Sequence, residues 1–158
     1  MKKRLTDAVL CRTLLLFLAA ACLPLAAADS TVYAARLGRG SLQLEVAATP
    51  DARERGLMFR HFLPPERGML FIFPEDREVG FWMRNTWIPL SIAYLDSSFR
   101  IVRIRDLVPR DETTVPSGQP VRYALEVNRG WFARMGATVG SRLVPGPELA
   151  RRLNRGAL

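Results

Sequence analysis

The sequence predicts a mainly β fold: one compact, jelly-roll-like sandwich or barrel with two short helices. Three observations carry that prediction. Seven or eight short apolar runs recur at regular spacing, divided by segments rich in Gly, Pro, Asn and Asp. Several runs alternate with period two. In the clearest, Val121, Tyr123, Leu125 and Val127 interleave with Arg122, Ala124 and Glu126, which marks a half-buried strand. Only two segments within the domain carry start and stop signals of a helix.

The chain divides into residues 1–28, a signal peptide; residues 29–144, a single β-rich domain; and residues 145–158, a C-terminal tail. The first segment sets Lys2, Lys3, Arg4 and Arg12 against one acid, Asp7, ahead of an apolar run over residues 14–25. It closes on Ala26-Ala27-Ala28, small residues suited to cleavage after Ala28. That run is too short for a bilayer core, which needs about 20 apolar residues, and Pro24 interrupts it. The product is therefore expected to be exported, to the periplasm, and not to span a membrane once cut. Lipoprotein processing at Cys22 is the less favoured reading, because Ala19 stands where Leu is usual and the residues after Cys22 stay apolar.

Residues 31–37 and 41–47 read as strands around a Gly38-Arg39-Gly40 turn. Thr49 can cap a short helix, with Pro50 at its first position, Asp51 at its positive end and Gly56 or Met58 at its close. Residues 69–73 are a continuous apolar run, expected to be buried on both faces and turned by residues 74–77. Residues 81–83, 88–95 and 99–108 are further strands, and residues 109–120 a polar loop. Asn128 can cap a second helix through Trp131, Phe132 and Met135, closed by Gly136. Residues 137–144 read as a last strand. In the tail, Leu149 and Leu153 stand four apart, which fits either a weak amphipathic helix or a disordered end.

Both cysteines, Cys11 and Cys22, precede the predicted cut, so the mature domain holds no disulfide and its core alone must stabilise it. Of 23 Lys and Arg and 15 Asp and Glu, four bases and one acid also precede the cut. The mature part thus carries 19 arginines against 14 acids, a net of +5. That surplus favours anionic envelope partners. Nucleic acid is not an expected partner, because the arginines alternate with acids. Nothing in the sequence demands an oligomer.

Five ordered motifs then suggest a family: Arg55-Gly56-Leu57-Met58-Phe59-Arg60; Gly68-Met69-Leu70-Phe71-Ile72-Phe73; residues 81–92, beginning Phe81-Trp82-Met83-Arg84-Asn85-Thr86-Trp87; Arg122-Tyr123-Ala124-Leu125-Glu126-Val127; and Gly130-Trp131-Phe132-Ala133. Together they resemble the domain of unknown function 192 family, over residues 42–143. The resemblance implies a compact, mainly β, jelly-roll-like fold, often behind a bacterial signal peptide, and brings no established activity. Ser91 stands where many members have Asp, and the cysteines some members carry are missing here.

Chemistry narrows further by residue type. Cysteine nucleophiles are excluded from the mature chain. His61, the only histidine, lies without a Gly-x-Ser-x-Gly elbow, so a serine triad lacks its context. One His and no Cys fall short of a transition-metal ligand set, and no cofactor is expected. The candidate ligand-binding residues are Arg60, Trp82, Arg84, Asn85, Thr86 and Glu126. Aromatic planes beside an amide and a planar guanidinium suit a carbohydrate or another polar, ring-bearing ligand. The alternative is a turn in which Asn85 and Thr86 bond their own backbone and the tryptophans are core. Arg60 either binds an anionic group or locks the helix-to-strand corner through a carboxylate such as Glu126. Glu126 itself fits a cross-strand partner of Arg103 or Arg105 as well as a site. The leading expectation is a non-catalytic binding module. An interaction or structural protein on anionic envelope surfaces follows, and a carboxylate-dependent hydrolase comes last.

Overall fold

A computed structural model describes residues 31–155. The predicted signal peptide, with Cys11, Cys22 and the expected cut after Ala28, lies outside the described residues. Nine strands and three short helices follow in the described part: β1 (Tyr33–Leu37), β2 (Gly40–Ala47), α1 (Pro50–Arg55), β3 (Arg67–Arg77), β4 (Gly80–Phe81), β5 (Leu90–Leu95), β6 (Ile101–Leu107), β7 (Val115–Pro116), β8 (Val121–Asn128), α2 (Trp131–Arg134), β9 (Val144–Pro145) and α3 (Pro147–Asn154). Seven strands form one curled, mixed sheet in the order β6-β5-β8-β3-β2-β1-β9, while β4 and β7 pair separately. The mainly β expectation is what the structure shows.

The hairpin β1–β2 closes through two residues, Gly38 and Arg39, with Leu37 opposite Gly40. Gly38 has φ 57°, which suits the first central position of a type II′ turn, a turn whose twist matches the strands it joins. α1 then carries the chain to β3, which lies parallel to β2. Its N-terminus is built as the sequence predicts: Thr49 accepts from the Ala52 amide at 3.2 Å, and Pro50 occupies the first turn. Gly56 caps the other end at φ 45°.

Side chains alternate across the sheet, and both faces are covered. Leu44, Leu70, Ile72, Leu95, Leu125 and Val127 face a core completed by Trp131 of α2 and Leu149 of α3. Phe71, Phe73, Leu90, Ile92 and Tyr94 face a second core, closed by Leu57, Leu63, Met83 and Ile88 from the loops. Burying a side chain of this size contributes about 1.5–3 kcal/mol. This double covering corrects the reading of β8 as half-buried, since Ala124 and Glu126 are buried as fully as the residues between them.

Other elements differ from expectation for identifiable reasons. Residues 74–77 continue β3 instead of turning, and the register with β8 shifts between Ile72 and Arg77. Residues 137–144 do not form a strand. Thr138 and Ser141 bond each other across a turn and Gly140 sits at φ 88°, leaving only the two-residue β9. Asn128 does not cap α2. Its amide donates to the Leu63 and Pro64 carbonyls, and Gly130, at φ 75°, begins the helix. The tail folds as α3, a third helix, with Leu149 fully buried.

Candidate functional site

Three loops and the second face of the sheet enclose a cavity of about 350 Å³. Glu126, on β8, forms part of its lining. In register, Glu126 stands between Met69 of β3 and Ile92 of β5. The lining adds Leu57 and Met58 from the corner after α1, Phe71 and Phe73 from β3, Phe81 from β4, and Trp82 and Thr86 from the following loop. Gly56 lets that corner close: a Cβ there would sit 3.2 Å from the Phe71 ring.

Glu126 is 4% exposed, and its carboxyl group makes no hydrogen bond to any described residue. Burial pushes it up to about 8, so at neutral pH it is mostly a neutral acid. In that form it offers one O–H donor and an acceptor oxygen to whatever enters. The nearby Tyr94 hydroxyl is spent on the Val115 carbonyl at 2.5 Å, and burial raises it well above its ordinary value. At the rim, Arg53 is a structural residue. It donates to the Ala48 and Ile72 carbonyls and lies 5.7 Å from the Phe73 ring centre. Arg55 and Arg77 line the cavity without an ion-pair partner among the described residues.

The structure brings Trp82, Thr86 and Glu126 together on this cavity and sets the other predicted residues apart. Arg84 and Asn85 are on an exposed turn. Asn85 has φ 53°, and its carbonyl accepts from the Phe59 amide at 2.8 Å. The Thr86 hydroxyl donates to the Arg84 carbonyl at 3.2 Å. This segment therefore bonds the backbone, as the turn alternative has it. The tryptophans are not core, however: Trp82 and Trp87 are both exposed.

Arg60 locks the corner, but through Glu45 and not Glu126. Two parallel bonds of 2.6 and 2.7 Å join its guanidinium to the Glu45 carboxylate. These bonds hold Arg60 in its charged form, the Glu45 hydrogen bond outweighing desolvation. Glu45 also stands opposite Met69, so the two buried acids flank one methionine across three strands. Nor does Glu126 face Arg103 or Arg105. Both lie on β6, beyond β5, and Arg105 stands opposite Ile92. His61 stacks flat on Trp87 at 4.8 Å with 3° between the rings. Ser91, at the position where relatives often carry Asp, donates to Asp106 at 2.6 Å and accepts from the Gly130 amide, a structural use.

Sequence reasoning missed Glu45, which lies in residues 41–47, read only as a strand of the first hairpin. The signal was the apolar run of β3. A strand buried on both faces implies a covered second face, and an acid on the adjoining strand then shares that burial. Among the described residues, no group of three His, Cys, Asp or Glu gathers to hold a metal, and no helix is long and apolar enough to cross a membrane.

A model of the DUF192 family, described as uncharacterized ACR, matches residues 33–145. A crystal structure from Sinorhizobium meliloti 1021, described provisionally as a transcription regulator, is 38% identical with a TM-score of 0.70. The likeness covers 72% of this chain and 93% of that one. A protein of unknown function from Novosphingobium aromaticivorans DSM 12444 is 36% identical at a TM-score of 0.68, over 71% and 84% of the two chains. No curated protein matches. A single family model spanning nearly the whole described sheet, and two relatives that share this fold at over one third identity, lead to one conclusion: the chain belongs to the domain of unknown function 192 family.

Proposed function

We propose that this chain is an exported cell-envelope protein that acts as a non-catalytic binding module, and that its Glu126 cavity takes a polar, ring-bearing ligand such as a carbohydrate. One observation carries the reading. A buried carboxyl group with no hydrogen bond to a described residue lines a cavity of ligand size whose wall also holds the aromatic rings of Phe71, Phe73, Phe81 and Trp82. Buried polar groups are nearly always hydrogen-bonded, so an unmatched one lining a cavity points to a partner that arrives from outside. A neutral acid that both donates and accepts suits a hydroxyl group, and Trp82 at the edge offers a plane for a sugar ring. Export rests on the N-terminal pattern.

The hydrolase alternative would need Glu126 to meet a second catalytic group, such as Arg60 or another acid. Arg60 is committed to Glu45, and the other acids on the cavity, Glu54 and Glu78, are exposed. The provisional description of the Sinorhizobium relative as a regulator is not adopted. Its usual reading element, two helices joined by a tight turn, is missing among the described residues.

The test is thermal unfolding against neutral sugars, peptidoglycan fragments, divalent ions and a DNA duplex. The expected outcome is a rise in midpoint with one carbohydrate class, abolished by Glu126→Ala and by Trp82→Ala, because a ligand that binds only the folded state must stabilise it. A flat response across the sugars, or a rise that both variants retain, sinks the proposal.

A further inference from the structure

A second cavity, of about 600 Å³, lies on the other side of the corner that follows α1. Its lining includes Arg55, Arg60 and Arg152, with Glu45 as its one acid. Glu45 is matched to Arg60 by the two short bonds already described. Arg55 and Arg152 remain, and neither has an ion-pair partner among the described residues. The side chains around this cavity thus carry a surplus of two positive charges.

Arg152 is held in place. One Nη1 hydrogen is donated to the Tyr33 hydroxyl at 2.8 Å, and the guanidinium carbon lies 5.5 Å from the Tyr33 ring centre. Yet its Nε is buried and makes no hydrogen bond. Tyr33, 9% exposed, accepts that bond from Arg152 and donates its own hydroxyl hydrogen to no described residue. An immobilised guanidinium with an unspent N–H beside an unspent phenol O–H, on a cavity that Arg55 also lines, organises part of a receptor before its ligand arrives. A buried donor left unmatched is costly, so it calls for an acceptor. The neighbouring cleft, lined by Arg151, Arg155 and one acid, Glu148, shares both Tyr33 and Arg152 and keeps a positive balance.

We propose that this cavity is a phosphate-binding site, in which Arg55 and Arg152 bind a phosphoryl dianion and Tyr33 donates to one of its oxygens. Two cations from different elements match a doubly charged, tetrahedral group better than a single flat carboxylate. The volume leaves room for the organic part of a phosphomonoester. The phosphoryl group belongs either to a soluble phosphomonoester or to a lipid headgroup. The proposal does not depend on the Glu126 reading: Arg55 lines both cavities, but Glu126 and Trp82 do not line this one.

The experiment follows the Arg152 Nε–H resonance by nitrogen–proton NMR while inorganic phosphate is added to the full chain, with sodium chloride of equal ionic strength as control. Vesicles of phosphatidylcholine, with and without phosphatidic acid, are assayed in parallel by flotation. The expected result is a saturable shift with phosphate that chloride does not reproduce. Arg55→Gln, which touches no described partner, is expected to weaken it about tenfold; Arg152→Gln, which removes the reporting N–H itself, is read by flotation. Glu126→Gln is expected to leave the phosphate shift unchanged. Flotation with phosphatidic acid that both arginine variants lose also supports the site and names a lipid as its source. A phosphate response no larger than that of chloride, together with flotation that neither variant reduces, overturns the proposal.

Discussion

Glu126 owes its properties to where the pleat points it. The same residue on a sheet with one wet face would be an ordinary surface acid with a pKa near 4.5; here burial pushes it up to about 8. Between those values the folded chain holds a proton that the unfolded chain has released. Stability therefore falls as pH rises through that window and levels off above about 8. Replacing the acid by an amide of the same shape removes the titration. We expect Glu126→Gln to gain on the parent by up to about 1.4 kcal/mol for each pH unit of the window. Chemical denaturation at a series of pH values reads this directly, and parallel curves for the two proteins would show that Glu126 titrates normally. Arg60 carries the related lesson. The need of a half-buried guanidinium for a bidentate carboxylate was legible, but which of the acids supplies it was not, because that choice depends on strand order.

At the scale of elements, local chemistry decided most. The Thr49-Pro50-Asp51 start and the Gly56 stop of α1 need no tertiary help to be read. The β1–β2 turn is equally local, but its glycine answers to a distant neighbour as well. A Cβ at Gly38 would fall 2.3 Å from the Met135 carbonyl oxygen, in a residue already at positive φ. Gly38→Ala is therefore expected to cost about 2 kcal/mol or more, since it adds a clash to the strain. A urea midpoint unchanged from the parent would show that the turn relaxes freely. Elements whose ends depend on partners were misjudged. Asn128 has the right side chain for a cap, but the carbonyls of Leu63 and Pro64 take its amide. Residues 74–77 look like a turn, yet β8 extends β3 through them.

At the scale of the molecule, the sheet is a partition between two apolar cores, and the C-terminal segment helps to close one of them. Leu149 on α3 is fully buried with Trp131 and Leu44. We expect Leu149→Ala to destabilise the whole domain by about 2–4 kcal/mol, with an unchanged slope in denaturant. A loss confined to the last helix, with the main transition unmoved, would show instead that α3 is only an appendage.

The amino-acid sequence by itself determined the β class, the α1 caps, the hairpin turn and the family motifs, because each depends on residue type and short spacing. Strand order, the parallel β2–β3 pair and the covering of the second face were decided only by the tertiary structure. Period-two alternation says that a strand has two faces, but it does not say what lies against each. For that reason Trp82 and Glu126 could be selected only as candidate site residues, from their types. The cavity they share, the Glu45–Arg60 pair and the Tyr33–Arg152 pair appear only when strands far apart in sequence are brought into register.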